Sequence, residues 1–271
     1  MTMTLDLREK RILLTGAACG IGRELAEALG AKGARLGLLG RTDASVASLE
    51  HLVATHRMDA VVLQADLTDA AARRSAVSRM VEAYGRVDVL INLAGVLDFR
   101  FFDQSDASAI TRTMQINVEA PMQMAREILP AMLGRGSGRI VNVGSTFGSI
   151  GYPGFAAYSA SKFALRGFSQ ALRRELHGTG VGVTYVAPRS VRTAFNPPAV
   201  HLMAERKLMH MDEPGWVALH IVHAIEKEKS EAYMGFPENL FARLNGVFPS
   251  LVDGALKKVL PDLAYHARGV S

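Results

Sequence analysis

Seven short apolar runs, separated by longer amphipathic stretches, constrain this chain more than any other feature. The runs are RILLTG (11–16), ARLGLLG (34–40), AVVLQAD (60–66), VDVLINLAG (87–95), GRIVNVGS (138–145), GVGVTYVAP (180–188) and EAYMGF (231–236). Helical spacing of apolar residues fills the intervals, as over 23–32, 69–84 and 155–177. The runs do not alternate with polar residues, so each strand expects burial on both faces. Strand and helix taking turns predicts an α/β fold: a doubly wound, seven-stranded parallel sheet with helices on both faces. At 271 residues, 49 % of them apolar, the chain can build one large core.

Charge and cysteine content narrow the function classes. Lys and Arg number 31 against 26 Asp and Glu, a net charge of +5. The basic residues are scattered, with no run of five, so no nucleic-acid partner is expected. Cys19 is the single cysteine, which excludes an internal disulfide and a cysteine metal site and fits a reducing, cytoplasmic setting. MTMTLDLREKR at the N-terminus lacks an apolar signal-type stretch, and no run of eighteen apolar residues predicts a membrane span. His201, His210, His220 and His223 match no metal-ligand spacing, and no metal is expected.

In a doubly wound sheet ligands sit at the carboxyl ends of the strands, so chemistry is sought there. Gly16, Cys19, Gly20, Ile21 and Gly22 follow the first strand and open a helix, in a G-x-x-x-G-x-G spacing. Glycines there let a ligand approach the backbone, and the helix N-terminus attracts a pyrophosphate. Taken alone, the cluster also suits a plain strand-to-helix turn. Cys19 reads as a small filler rather than a reactive thiol. The second strand ends LLGRTD. An acid there would hold a ribose 2′-hydroxyl, whereas an arginine accommodates a 2′-phosphate. Gly40 stands where the acid would be and Arg41 follows, which predicts NADP(H) over NAD(H). Asp43 is expected to cap the next helix.

These residues together resemble the short-chain dehydrogenase/reductase family, in its single-domain branch, from about Leu5 to about Phe236. The glycine run resembles the family's TGxxxGxG. Asp66, with Leu67 beside it, falls where the family places an acid by the adenine. Asn92, Ala94 and Gly95 resemble its NNAG element, with Leu93 in place of the second Asn. Asn117, Ser145, Tyr158 and Lys162 fall in the order of its catalytic tetrad. Pro188, Val191 and Thr193 keep its pattern after the sixth strand, where Thr193 would face the nicotinamide carboxamide. The resemblance implies a Rossmann-type fold, with a dinucleotide-binding and catalytic domain over 1–237 and a C-terminal amphipathic helical extension of it over 238–271. Two departures stand out. Arg189 replaces a usual glycine and is expected to reshape the wall near the nicotinamide or to add charge there. The chain also continues well past its last strand.

YSASK (158–162) places a phenol and an ammonium one helical turn apart on one face. A free tyrosine titrates near 10, too high for fast exchange at neutrality, and a lysine cation is expected to lower it. By the resemblance, Tyr158 is the acid/base in hydride transfer and Lys162 also holds the nicotinamide ribose. Ser145 would hydrogen-bond the substrate oxygen, and Asn117 would hold a water linking Lys162 to solvent.

The stretch 192–216, the family's substrate lid, carries Phe195, Leu202, Met203, Leu208, Met209, Met211 and Trp216. It predicts an apolar or acyl-type ketone or aldehyde and its alcohol as substrate pair. The tail over 238–260 has apolar residues at helical spacing, with Gly246 and Pro249 kinking or splitting it. Its uses are packing on the body, pairing with a second subunit, or lying on a membrane surface, the last ranked below the other two. Helices around 117–134 and 155–177 are expected to form a homodimer or homotetramer, as in the family. The alternatives to an NADP(H)-dependent oxidoreductase are a catalytically silent dinucleotide-binding protein and an epimerase or dehydratase variant.

Overall fold

The computed structural model describes residues 4–268. Its strands are β1 (Arg11–Thr15), β2 (Arg35–Gly40), β3 (Ala60–Gln64), β4 (Val89–Asn92), β5 (Gly138–Val143), β6 (Val181–Ala187), β7 (Ser190–Val191), β8 (Met211–Asp212) and β9 (Glu231–Tyr233). Its helices are α1 (Gly20–Ala31), α2 (Asp43–His56), α3 (Ala70–Tyr84), α4 (Ala107–Met114), α5 (Ala120–Gly134), α6 (Ala156–Glu175), α7 (Pro198–Glu205), α8 (Pro214–Glu226), α9 (Glu238–Asn245) and α10 (Pro249–Arg268).

All seven expected strands join one parallel sheet in the order β3-β2-β1-β4-β5-β6-β9. The chain builds outward from β1 to β3, then returns to place β4 on the other side of β1. That reversal opens a crevice at the carboxyl ends of β1 and β4. One core, on the α1 and α8 side, includes Leu14, Leu25, Ile91, Val186 and Ile221. The other, on the α3 and α5 side, includes Leu13, Met80, Leu90, Met124 and Ile140. Leu13 and Leu14 thus face opposite cores, which is why the strand is apolar without alternation.

Two local features differ from the sequence reading. Thr42, not Asp43, caps α2: its hydroxyl accepts from Ser45 N at 3.2 Å while Ser45 Oγ accepts from Thr42 N at 2.9 Å. This reciprocal capping box satisfies two backbone donors, and Asp43 instead accepts from Gln64 Nε2 at 2.8 Å. β7 and β8 form a second, two-stranded sheet that was not anticipated. Strands of two residues leave no periodicity to read.

The tail splits where Gly246 and Pro249 fall, into α9 and α10. Ala242 and Val252 bury against Ile150, and Asn245 Nδ2 donates to the Ser149 carbonyl at 2.9 Å. Leu263 is fully buried. Leu240, Phe241, Val247, Phe248 and Leu251 stay exposed on the outer side. No helix among the described residues is long and apolar enough to cross a membrane.

Candidate active site

Thr15, the last residue of β1, ties the site together. Its Oγ1 accepts from the amides of Leu93 and Ala94, both at 3.1 Å, and donates to the Ile91 carbonyl at 3.3 Å. The loops after β1 and β4 are thereby locked side by side. Gly16 adopts φ +69°, and a Cβ there would lie 2.8 Å from the Ala94 backbone. A Cβ on Gly20 would lie 2.3 Å from Thr193 Cγ2, so the loop after β6 closes on the same point. Glycine is the residue these approaches permit. Cys19 precedes α1 and its side chain makes no capping hydrogen bond; the Gly22 amide donates to the Cys19 carbonyl at 2.6 Å, which leaves the Gly20 and Ile21 amides to a ligand.

A cavity of about 450 Å³ runs along these strand ends. Gly16, Cys19, Gly20, Ile21, Gly22, Ala94, Gly95, Pro188, Val191 and Thr193 line it. Arg41, Asp66 and Leu67 line its β2–β3 side, and Ser145, Tyr158 and Lys162 its β5–β6 side. Asp66 accepts from Thr68 N at 2.9 Å and Thr68 Oγ1 at 2.7 Å. These bonds, helped by the Arg41 and Arg112 charges, hold its carboxyl below the usual range against partial burial.

Two predicted residues do not line the cavity. Asn92 lies beneath it, donating to Asn142 Oδ1 at 2.9 Å, and Asn142 donates in turn to Ser169 Oγ at 2.9 Å. Asn117 sits in a π-helical turn, Gln115–Glu119, between α4 and α5. Its Nδ2 donates to the Val96 carbonyl at 2.9 Å and to Ser161 Oγ at 3.0 Å, and its Oδ1 accepts from Val96 N at 2.8 Å. Both amide hydrogens are thus committed to fastening the β4 loop to α6. Only acceptor positions remain for the water expected there.

Tyr158 and Lys162 lie on the inner face of α6, both almost fully buried. The Lys162 Nζ donates to the Val143 carbonyl at 3.1 Å and lies 5.6 Å from the Tyr158 ring centre. The expected lowering of the phenol pKa is not what this geometry gives. Burial raises it, and a hydrogen bond with Ser145 offsets only part of the rise. Burial also lowers the Lys162 ammonium to about 8. In both groups desolvation of the charged form is the dominant cause.

Tyr185 supports Ser145 from below. Its hydroxyl donates to the Ser145 carbonyl at 3.2 Å and lies 3.5 Å from the Ser145 amide. A Cβ on Gly144 would come within 2.2 Å of that hydroxyl, so this tyrosine requires the glycine. Around Tyr158, Phe147, Phe155 and Phe195 place their ring centres at 6.4, 6.5 and 6.3 Å. Phe147, Phe155, Arg112, Thr15 and Tyr185 were not assigned from sequence. The two phenylalanines lie in the run between the fifth strand and YSASK, where the number of aromatics is a readable signal; Arg112 carries none.

Arg189 keeps a negative-φ backbone, so the glycine it replaces in the resembling pattern is not needed here for its conformation. Among the described residues no group of three or more His, Cys, Asp or Glu side chains could hold a metal ion.

A sheet of this winding, with a glycine cradle at its switch point and a buried Tyr–Lys pair beside it, defines the class of dinucleotide-binding oxidoreductases. Residues 10–201 match the model of the short chain dehydrogenase family, and the chain belongs to the short-chain dehydrogenase/reductase family. It is 32 % identical over 250 residues to dehydrogenase/reductase SDR family member 7B of Bos taurus, covering 88 % of this chain and 77 % of that one. A short-chain dehydrogenase/reductase from Burkholderia phymatum, solved with NAD, superimposes with TM-score 0.82 at 25 % identity, covering 91 % of this chain and 96 % of that one. A variant of actinorhodin polyketide ketoreductase, solved with NADPH, gives TM-score 0.76 at 28 % identity, covering 83 % and 95 %.

Proposed function

We propose that the protein is an NADP(H)-dependent reductase that interconverts a ketone or aldehyde and its alcohol, on an apolar or acyl-type substrate. The observation that carries this reading is the buried Ser145, Tyr158 and Lys162 cluster at the aromatic side of the cavity. The residues present fit a dinucleotide: the glycine cradle admits a pyrophosphate and the uncapped start of α1 offers it amides. When bound, a nicotinamide supplies or accepts the hydride. Tyr158 keeps its proton at neutral pH because burial raises its pKa, which suits it to protonate a developing alkoxide. Ser145 Oγ positions the substrate oxygen beside that phenol, and the Lys162 ammonium provides a buried positive charge next to it.

The 2′-phosphate preference rests on Gly40 and Arg41. A Cβ at 40 would lie 2.7 Å from Ser45 Oγ and 3.2 Å from the α2 backbone, so an acid that selects NAD would crowd the start of α2. Arg41 stands exposed at the cavity edge. The similar structures carry NAD in one case and NADPH in the other, so the preference is argued from these residues alone. Phe147, Phe155 and Phe195 favour an apolar substrate, and the similar ketoreductase is named for polyketides. Met122, Leu133 and Phe163 are exposed on α5 and α6, which favours a homodimer through those helices. The tail's burial against Ile150 favours packing over membrane contact, and the single cysteine favours a cytoplasmic setting.

The test is NADPH consumption against 3-oxoacyl thioesters, steroids, aryl ketones and aldehydes, repeated with NADH. Turnover that prefers NADPH supports the reading. Tight NADPH binding without turnover of any carbonyl, in either direction, would sink it.

A further inference from the structure

Arg189 follows β6, lines the cavity, and stands where the family resemblance expects a glycine. Three segments meet at its guanidinium. Nε donates to Asp212 Oδ2 at 2.9 Å and Nη2 to Asp212 Oδ1 at 2.7 Å, a bidentate pair. Nη1 donates to the Phe236 carbonyl at 3.3 Å, at the base of the tail. Asp212 is the last residue of β8, and its own carbonyl accepts from Arg192 N at 2.9 Å. Both partners are largely withdrawn from solvent, with side chains 18 % and 9 % exposed. Such a pair is screened far less than a surface ion pair. Gly235 makes room for it: a Cβ there would lie 2.6 Å from the Arg189 Nε.

Between β7 and β8 the chain carries the wall over Tyr158. Phe195 packs on the Tyr158 ring, Val200 is fully buried beside Phe155 and Tyr158, and Met209 packs on the same cluster. The β7–β8 ladder is two residues long, too short to fix that wall unaided. The ion pair closes the same gap from the other side.

We propose that Arg189 is a positioning residue for the substrate lid. Its bond to Asp212 holds residues 193–211 closed over Tyr158, and its bond to the Phe236 carbonyl braces that closure against the tail. The residue therefore sets substrate binding rather than the hydride step or cofactor affinity. Only the kinetic part of the following test rests on the reductase reading above.

Arg189→Gly, Arg189→Lys, Asp212→Asn and the exchanged pair Arg189→Asp with Asp212→Arg are compared with the unaltered chain. Hydrogen exchange is followed in the full-length protein, NADPH affinity by fluorescence, and KM and kcat with a 3-oxoacyl thioester. In Arg189→Gly, exchange over 190–213 should rise about tenfold while that of β1 to β5 stays unchanged. NADPH affinity should stay within about twofold, with KM for the thioester up about tenfold and kcat within about threefold. Arg189→Lys should recover part of the loss, and the exchanged pair should do better than either single change. Unaltered exchange over 190–213 would overturn the proposal. So would a loss confined to kcat or NADPH affinity, or a lysine variant no better than glycine. If the thioester is not turned over, the exchange comparison decides the proposal alone. If Arg189→Gly does not fold, Arg189→Lys and Asp212→Asn carry the same comparison.

Discussion

The Lys162 ammonium donates to the Val143 carbonyl at 3.1 Å and lies 5.6 Å from the centre of the Tyr158 ring. The lysine is thus anchored to the end of β5, not to the phenol oxygen. In the proposed reaction its charge would act on the phenol oxygen from a fixed point in the sheet, while Ser145 hydrogen-bonds Tyr158.

On the proposed mechanism, Tyr158→Phe removes the proton that the alkoxide takes up and nothing that touches the glycine cradle. Turnover should fall about a hundred- to ten-thousand-fold, the range of a general acid. NADPH affinity, measured by fluorescence titration, should stay within about threefold, since the phenol is a small part of the cavity wall.

Lys162 links activity and stability to pH. Its ammonium titrates at about 8 in the folded chain against 10.5 unperturbed. Reduction should therefore be fastest below pH 8 and decline above it, as the charge beside Tyr158 is lost. The same displacement costs the folded state about 3 kcal/mol below pH 8. The unfolded chain binds the proton more tightly, so this cost shrinks as pH rises from 8 to 10.5. Lys162→Met should accordingly raise Tm at pH 7 and abolish turnover, with the gain disappearing near pH 10.5. A Tm unchanged or lowered at pH 7 would show that the bond to Val143 outweighs desolvation.

Arg41→Ala tests the cofactor choice. Loss of a charge-assisted contact to a 2′-phosphate costs about 1.5 to 3 kcal/mol, roughly ten- to a hundredfold in NADPH affinity. NADH affinity should not change. Equal weakening of both cofactors would assign Arg41 to the surface instead.

Tyr185→Phe deletes a hydroxyl that holds the Ser145 backbone. The loss of one buried hydrogen bond should cost about 0.5 to 1.5 kcal/mol in urea unfolding, since the Ser145 carbonyl keeps its bond from the Gly148 amide at 2.9 Å. The rate should fall too, because Ser145 sits on the loop that this hydroxyl supports. An unchanged kcat would mean that Gly144 and the β5–β6 ladder place Ser145 without it.

Much of the fold was legible because parallel strands buried on both faces leave continuous apolar runs, and all seven runs became strands. The glycine loop, Arg41 and the Tyr–Lys pair were legible because each follows a strand or opens a helix. What escaped notice depends on distances across the fold. Thr15 reads as one more strand residue until its hydroxyl is seen to hold two amides of another loop. Asn92 falls within a resembling motif yet turns into the sheet toward Asn142. The sign of the Tyr158 shift depends on burial, which i, i+4 spacing does not report. β7 and β8 are too short for any pattern, and with them the Arg189–Asp212 pair could not be seen.

A side chain at 235 would compete for space with the Arg189 guanidinium in the position that pairs with Asp212. An arginine acquired at 189 can therefore reach its pairing with Asp212 unhindered where 235 is already glycine. Loss of that glycine would push the guanidinium off Asp212. Among relatives the two positions should vary as one unit. Arginine at 189 should occur with glycine at 235, while asparagine or aspartate, which tolerate that backbone, should appear at 235 only where 189 is small. The order in which these two codons changed is thus constrained by the volume of one guanidinium group.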